Sequence, residues 1–184
     1  MNTTTYYTKE HKQLPGFGLL ALGVSLLAYI FCKANVVEHS ACYIGYLLLI
    51  SGAVQIMVGI HGQKQGYRYA AGTFLPFGMF WLSLIGYEVF PRLGYGESPS
   101  TMATFSYLSL WALFVAILFL RSFRQGLSMQ YLYGTMMVCL MSLSLDQLRE
   151  GQIFLTIGCI FGLCSALIAM YMAIVQFGDS RVMR

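Results

Sequence analysis

The chain has 184 residues, of which 58% are hydrophobic and 10% charged, with a formal net charge of +4. A soluble domain carries about 25% charged residues, so this single-domain-sized chain cannot cover a water-facing surface and takes the lipid bilayer as its main solvent. Its basic residues form no patch that could follow a phosphate backbone, which removes nucleic acid from the expected partners.

In chain order, residues 1–13 are polar, with a TTT run and paired tyrosines, and read as a cytoplasmic tail. Lys9 and Lys12 precede an apolar run, as in a signal peptide, but no small-x-small cleavage site follows it. That run is read as a retained first span. Six apolar segments are predicted as helices: Leu14–Cys32, Cys42–Ile60, Tyr69–Phe90, Thr104–Leu120, Met129–Leu145 and Ile153–Phe177. Each is near the ~20 residues that cross a ~30 Å hydrocarbon core, the fifth being the shortest. Barrel strands would alternate in and out, and these runs do not. The links between them are short and leave no room for a soluble domain.

Lys and Arg set the expected orientation. Lys9, Lys12, Lys64, Arg68, Arg121, Arg124, Arg181 and Arg184 fall on one side, and Lys33, Arg92 and Arg149 on the other. Both termini are therefore expected in the cytoplasm. The expected fold class is an all-α integral membrane protein with six transmembrane helices spanning 14–178, followed by a cytoplasmic tail at 179–184.

The stretch from Gly52 to Leu84 holds the sharpest break in the first half: a short basic hinge, HGQKQGYR, then a helix interrupted by Gly72, Thr73, Pro76 and Gly78 before Phe80 and Trp81. Pro76 removes a backbone donor and frees a carbonyl near Gly72. Such a face either lines a solute path or marks a packing kink. Gln55, in mid-span, faces either another helix or a wet path, because an unpaired amide in hydrocarbon costs several kcal/mol. Gly158, Gly162 and Ala166, and Gly45, Gly52 and Gly59 at seven-residue spacing, read as close helix packing.

No Asp, Glu, Lys, Arg or His lies in the middle of a span, which disfavours a pump built on a buried carboxylate. Glu88 and Asp146 lie at span ends and read as solvated or headgroup-level charges. His11, His39 and His61 are far apart, and HExxH and GxSxG are absent. The five cysteines form no CxxC and are odd in number, so they read as free thiols. The chain is expected to be neither an enzyme nor a binder of a cofactor or metal.

Beside this reading stands a resemblance. Gly52, Gln55 and Gly59, the hinge with Lys64 and Gly66, then Phe74, Phe77, Gly78, Phe80, Trp81 and Leu82 are similar to the signature of the acetate uptake transporter family, the succinate–acetate permease type. Pro91, Leu93 and Gly94 match its P-x-L-G, and Leu110 with Trp111 its L-W. The resemblance covers about residues 14–178. It implies six helices around a narrow pore in each protomer of a homo-oligomer, a hexamer in the family, in a bacterial cytoplasmic (inner) membrane. It implies passage of acetate, succinate and related small mono- and dicarboxylates, with or without proton linkage. Carried over by position, the pore constriction falls on Leu22, Phe77 and Met136. The substrate path takes in Gly18, Leu19, Gln55, Gly72, Thr73 and Trp81. The family's opening N-P-x-P-L-G-L reads QLPGFGL at 13–19, keeping Gly18 and Leu19 without the Asn-Pro pair. Two other readings are a neutral-solute channel for urea, amides or ammonia, and a non-transporting sensor or scaffold.

Overall fold

The computed structural model describes residues 15–34, 41–149 and 152–182. The expected tail at 1–13 lies outside them, as do residues 183–184. Six helices carry the described chain: α1 Gly16–Lys33, α2 Ala41–Lys64, α3 from Arg68, α4 Thr101–Ser122, α5 Leu127–Asp146 and α6 Gln152–Val182. Helix α3 runs as α-helix to Leu84, continues through a π-helical turn, Ile85–Val89, and closes with the turn Phe90–Arg92. All but α5 are long and apolar enough to cross a bilayer. With 20 residues α5 has the length, about 30 Å at 1.5 Å per residue. Two of its polar side chains are tied up. The Thr135 hydroxyl donates to the Tyr131 carbonyl at 2.7 Å, and Ser144 shares a 2.7 Å bond with Ser109 of α4. Helices satisfied in this way tolerate a membrane interior.

The helices close a ring in chain order. Helix α1 packs on α2 and α6, α2 on α3, α4 on α5, and α5 on α6. Glycines set the closest of these approaches. A Cβ on Gly78 would lie 2.7 Å from the Gly52 carbonyl, and one on Gly59 would lie 2.8 Å from the Leu75 nitrogen. Only a missing side chain lets α2 and α3 meet backbone to backbone. Gly158 of α6 takes the Leu143 side chain of α5 in the same manner.

The seam between α3 and α4 is of another kind. Their backbones stand apart, and rings fill the gap: Phe77 against Phe114 at 5.6 Å, Phe80 against Trp111 at 4.8 Å, and Tyr87 stacked on Tyr107 at 4.7 Å. The Tyr107 hydroxyl also lies 2.6 Å from that of Ser83.

Large apolar side chains cover the outside as well as the core. Leu110, Leu113, Ile117 and Leu120 on α4, and Ile160, Leu167 and Ile174 on α6, are exposed. Bands of this extent mark contact with lipid or another protein. The chain is a multi-pass integral membrane protein.

Candidate functional site

On a helix, residues three and four apart share a face. On α3 this puts Tyr69, Thr73, Phe77, Trp81, Leu84 and Glu88 along the inner side of the ring. All but Glu88 are buried. From α1 come Leu19, Leu22, Ser25, Leu26 and Tyr29, and from α5 Tyr133, Met136 and Leu140, all likewise buried.

Leu22, Phe77 and Met136 each show 0% exposure and belong to one core cluster. No space that water could occupy touches them. Gly18 makes room within this layer, since a Cβ there would lie 2.5 Å from the Phe74 ring. Leu19 is buried beside it in sequence.

Polar atoms flank the dry layer on both sides. Toward the Glu88 end, the Gln55 amide nitrogen donates to the Ser25 hydroxyl at 3.3 Å, which itself donates to the Ala21 and Leu22 carbonyls at 2.9 and 3.0 Å. Of the two sequence alternatives for Gln55, the helix contact is the one present. Its nitrogen makes a helix contact, while its Oε1 is buried without a partner, as is the indole nitrogen of Trp81. Toward the other end, the hydroxyls of Thr73, Tyr69 and Tyr133 are buried and close no hydrogen bond, although that of Tyr133 faces both others. Thr104, Thr135 and Thr156 fold their hydroxyls back onto their own helices; Thr73 does not. Arg121 lies over the Tyr69 ring at 5.5 Å and marks that mouth.

Gly72 departs from the expected path. It sits on the exposed outer face of α3, with open space where a Cβ would be, because one residue from inward-facing Thr73 is about 100° around a helix of 3.6 residues per turn.

Glu88 also departs from expectation. Its side chain is 14% exposed rather than solvated, and it forms an ion pair with Lys33 at 2.7 Å. Arg92 lies 3.8 Å from its second oxygen, and the Tyr29 hydroxyl donates to the first at 3.4 Å. The π turn carries Glu88 one wide turn above Leu84, where the tip of α1 can reach it. A vestibule of about 180 Å³ opens beside the cluster, lined by Lys33, Glu88, Arg92, Thr104 and Gln147 among others.

Sequence reasoning missed Tyr69, Tyr133, Tyr29, Lys33 and Arg92 as members of this axis. Tyr69 could have been found from its four-residue spacing to Thr73, and Arg92 from its spacing to Glu88. The partnership of Lys33 with Glu88 is visible only in three dimensions.

The profile of the GPR1/FUN34/yaaH family matches residues 5–182. The chain belongs to this family. Among the relatives it matches, the succinate-acetate/proton symporter SatP of Escherichia coli (strain K12) is 21% identical over 156 residues, which cover 85% of this chain and 83% of SatP. An uncharacterized protein of Methanothermobacter thermautotrophicus is also 21% identical, over 166 residues that cover 86% of this chain and 81% of its own length. Among solved structures, that of the bacterial acetate channel SatP superimposes with a TM-score of 0.85 at 20% identity, covering 92% of this chain and 93% of that one. The superposition establishes that the six-helix fold is shared.

Proposed function

We propose that this chain is a membrane channel or transporter for acetate and related small carboxylates, succinate among them. The observation that carries the reading is the axial pattern. A dry apolar layer at Leu22, Phe77 and Met136 is flanked on both sides by buried polar atoms without partners. An unsatisfied buried polar group costs about 1–3 kcal/mol. Groups of this kind on both sides of one layer are explained by a solute that pairs with them in transit. Leu22, Phe77 and Met136 act as the constriction, gating by size and dewetting. Gln55, Thr73 and Trp81 line the approaches, and Gly18 and Leu19 shape the wall.

The cations Lys33 and Arg92 at one mouth favour a carboxylate over urea or ammonia. The described mid-span residues carry no Asp, Glu, Lys, Arg or His, so any coupled proton travels with the acid rather than on a side chain. The likeness to a succinate-acetate/proton symporter supports the same substrate class. The protein works as a homo-oligomer, a hexamer as the family resemblance implies, in a bacterial cytoplasmic membrane with both termini inside. The test is uptake of labelled acetate by cells that lack their own permease. Uptake above the empty vector supports the reading, and uptake equal to it defeats it.

A further inference from the structure

Glu88 has two cations for one carboxylate. Its Oε1 is well served, by Lys33 at 2.7 Å and by the Tyr29 hydroxyl at 3.4 Å. Among the described residues its Oε2 reaches only Arg92, at 3.8 Å, beyond direct hydrogen-bond range. Arg92 is correspondingly underused. Its guanidinium has five donors, yet one of them points at the Cys32 sulfur at 3.3 Å, a weak acceptor. The Arg92 side chain is 50% exposed, while those of Lys33 and Glu88 are 18% and 14% exposed. The cluster therefore has one half-buried cation occupied by Glu88 and one open cation with donors to spare. Both line the vestibule of about 180 Å³, roughly ten times the ~10–15 Å³ of such space that a single water needs. The same inner face of α3 continues from Glu88 through Leu84 and Trp81 to Phe77.

We propose that the Lys33–Glu88–Arg92 cluster is a docking site for the carboxylate of an incoming solute, and that Glu88 fills it in the resting protein as a tethered stand-in for that carboxylate. An arriving carboxylate first takes the free donors of Arg92 in a fork geometry suited to it. It then competes with Glu88 for Lys33. A dicarboxylate can engage Arg92 and Lys33 with its two ends. The identity of the solute rests on the carboxylate reading above; the competition between Glu88 and an anion does not.

A purely structural role for Glu88, as a clamp between the ends of α1 and α3, makes a different prediction. Under it, Glu88→Gln lowers stability and leaves affinity alone. Under the stand-in role, Glu88→Gln removes the resident competitor and tightens acetate binding by roughly tenfold, the factor for about one charge-assisted contact.

The experiment uses the purified full chain in detergent. Acetate and succinate binding are measured by titration calorimetry for wild type, Glu88→Gln and Arg92→Gln, with chloride at equal ionic strength as the competing anion. The same proteins are then assayed for acetate flux in liposomes. Tighter acetate binding by Glu88→Gln, weaker binding by Arg92→Gln, and little displacement by chloride support the site. Unchanged or weaker binding by Glu88→Gln overturns it, and so does displacement by chloride as effective as by succinate. Should Glu88→Gln fail to fold, Arg92→Gln decides: acetate binding equal to wild type overturns the site. Wild-type protein that carries no flux, while Glu88→Gln still binds acetate more tightly, defeats the transport reading and leaves the docking site standing. Flux in wild type with no change in binding by either variant does the reverse.

Discussion

Phe77 is the side chain on which the constriction turns. Its ring fills the layer it shares with Leu22 and Met136 and braces against Phe114. Replacing it with Ala removes that filling, and the loss of a buried Phe side chain costs about 3–5 kcal/mol. Phe77→Ala is expected to lower the melting temperature and to raise uptake of larger carboxylates relative to acetate. Competition assays with a series of chain lengths measure this, and an unchanged selectivity ratio removes Phe77 from the constriction. The hydroxyls of Tyr133 and Thr73 make the opposite trade. They are buried and face one another without closing a hydrogen bond, so deleting either relieves part of a penalty of about 1–3 kcal/mol. Tyr133→Phe and Thr73→Val are expected to melt at the wild-type temperature or higher while acetate flux falls several-fold. Thermal unfolding read beside flux checks this pair, and a variant that loses stability and keeps its flux contradicts it. Residue roles were only partly legible in the sequence. Gln55 and Thr73 stand out as polar groups in apolar runs. Tyr69 and Tyr133 do not, because tyrosines are common in membrane helices as interface anchors. Glu88 lies at a span end, where a charge is ordinarily solvated. Its partner Lys33 is on a different helix, 55 positions away in the chain.

At the scale of the element, α2 and α3 are held by missing side chains, and α3 and α4 by large ones. The Gly52–Gly78 contact has no room for a methyl group. Gly78→Ala is therefore expected to separate the two helices and destabilise the protein by about 1–3 kcal/mol, the usual range for overpacking. Gly72→Ala, a few residues away, meets open space and is expected to be neutral or to stabilise by up to ~1 kcal/mol through helix propensity. The difference in melting temperature between these two variants is the check, and equal effects would contradict the packing described here. The spans themselves were legible because each is a continuous apolar run, and Gly52 and Gly59 were legible as packing positions through their seven-residue spacing. The π turn at Ile85–Val89 was not, since no residue type marks such a turn in an apolar helix. The outward side of Gly72 was not legible either, since Pro76 marks a freed carbonyl nearby, whereas the side a residue faces is set by the ~100° step per residue.

At the scale of the whole molecule, the ring of six helices places apolar side chains on both surfaces and the unpaired polar atoms of Gln55, Trp81, Thr73, Tyr69 and Tyr133 along the axis. This arrangement suits a protein with lipid outside and a solute path within. The class and the number of helices followed from composition and run length alone. The closure of the ring through an aromatic seam did not, because Phe77, Phe80, Tyr107 and Trp111 meet only once α3 and α4 are folded side by side. Both termini are expected on the cytoplasmic side. Impermeant thiol labelling of single cysteines placed near residues 10 and 182 in intact cells is expected to fail until the membrane is opened. Labelling without permeabilisation would reverse the orientation. The most direct measurement is acetate flux into liposomes carrying only the purified chain, for wild type and Phe77→Trp side by side. Acetate flux above that of empty liposomes, blocked when the ring at 77 is enlarged, is the predicted result. Flux equal to empty liposomes, or flux indifferent to the enlarged ring, would contradict an acetate path through the centre of the six-helix ring.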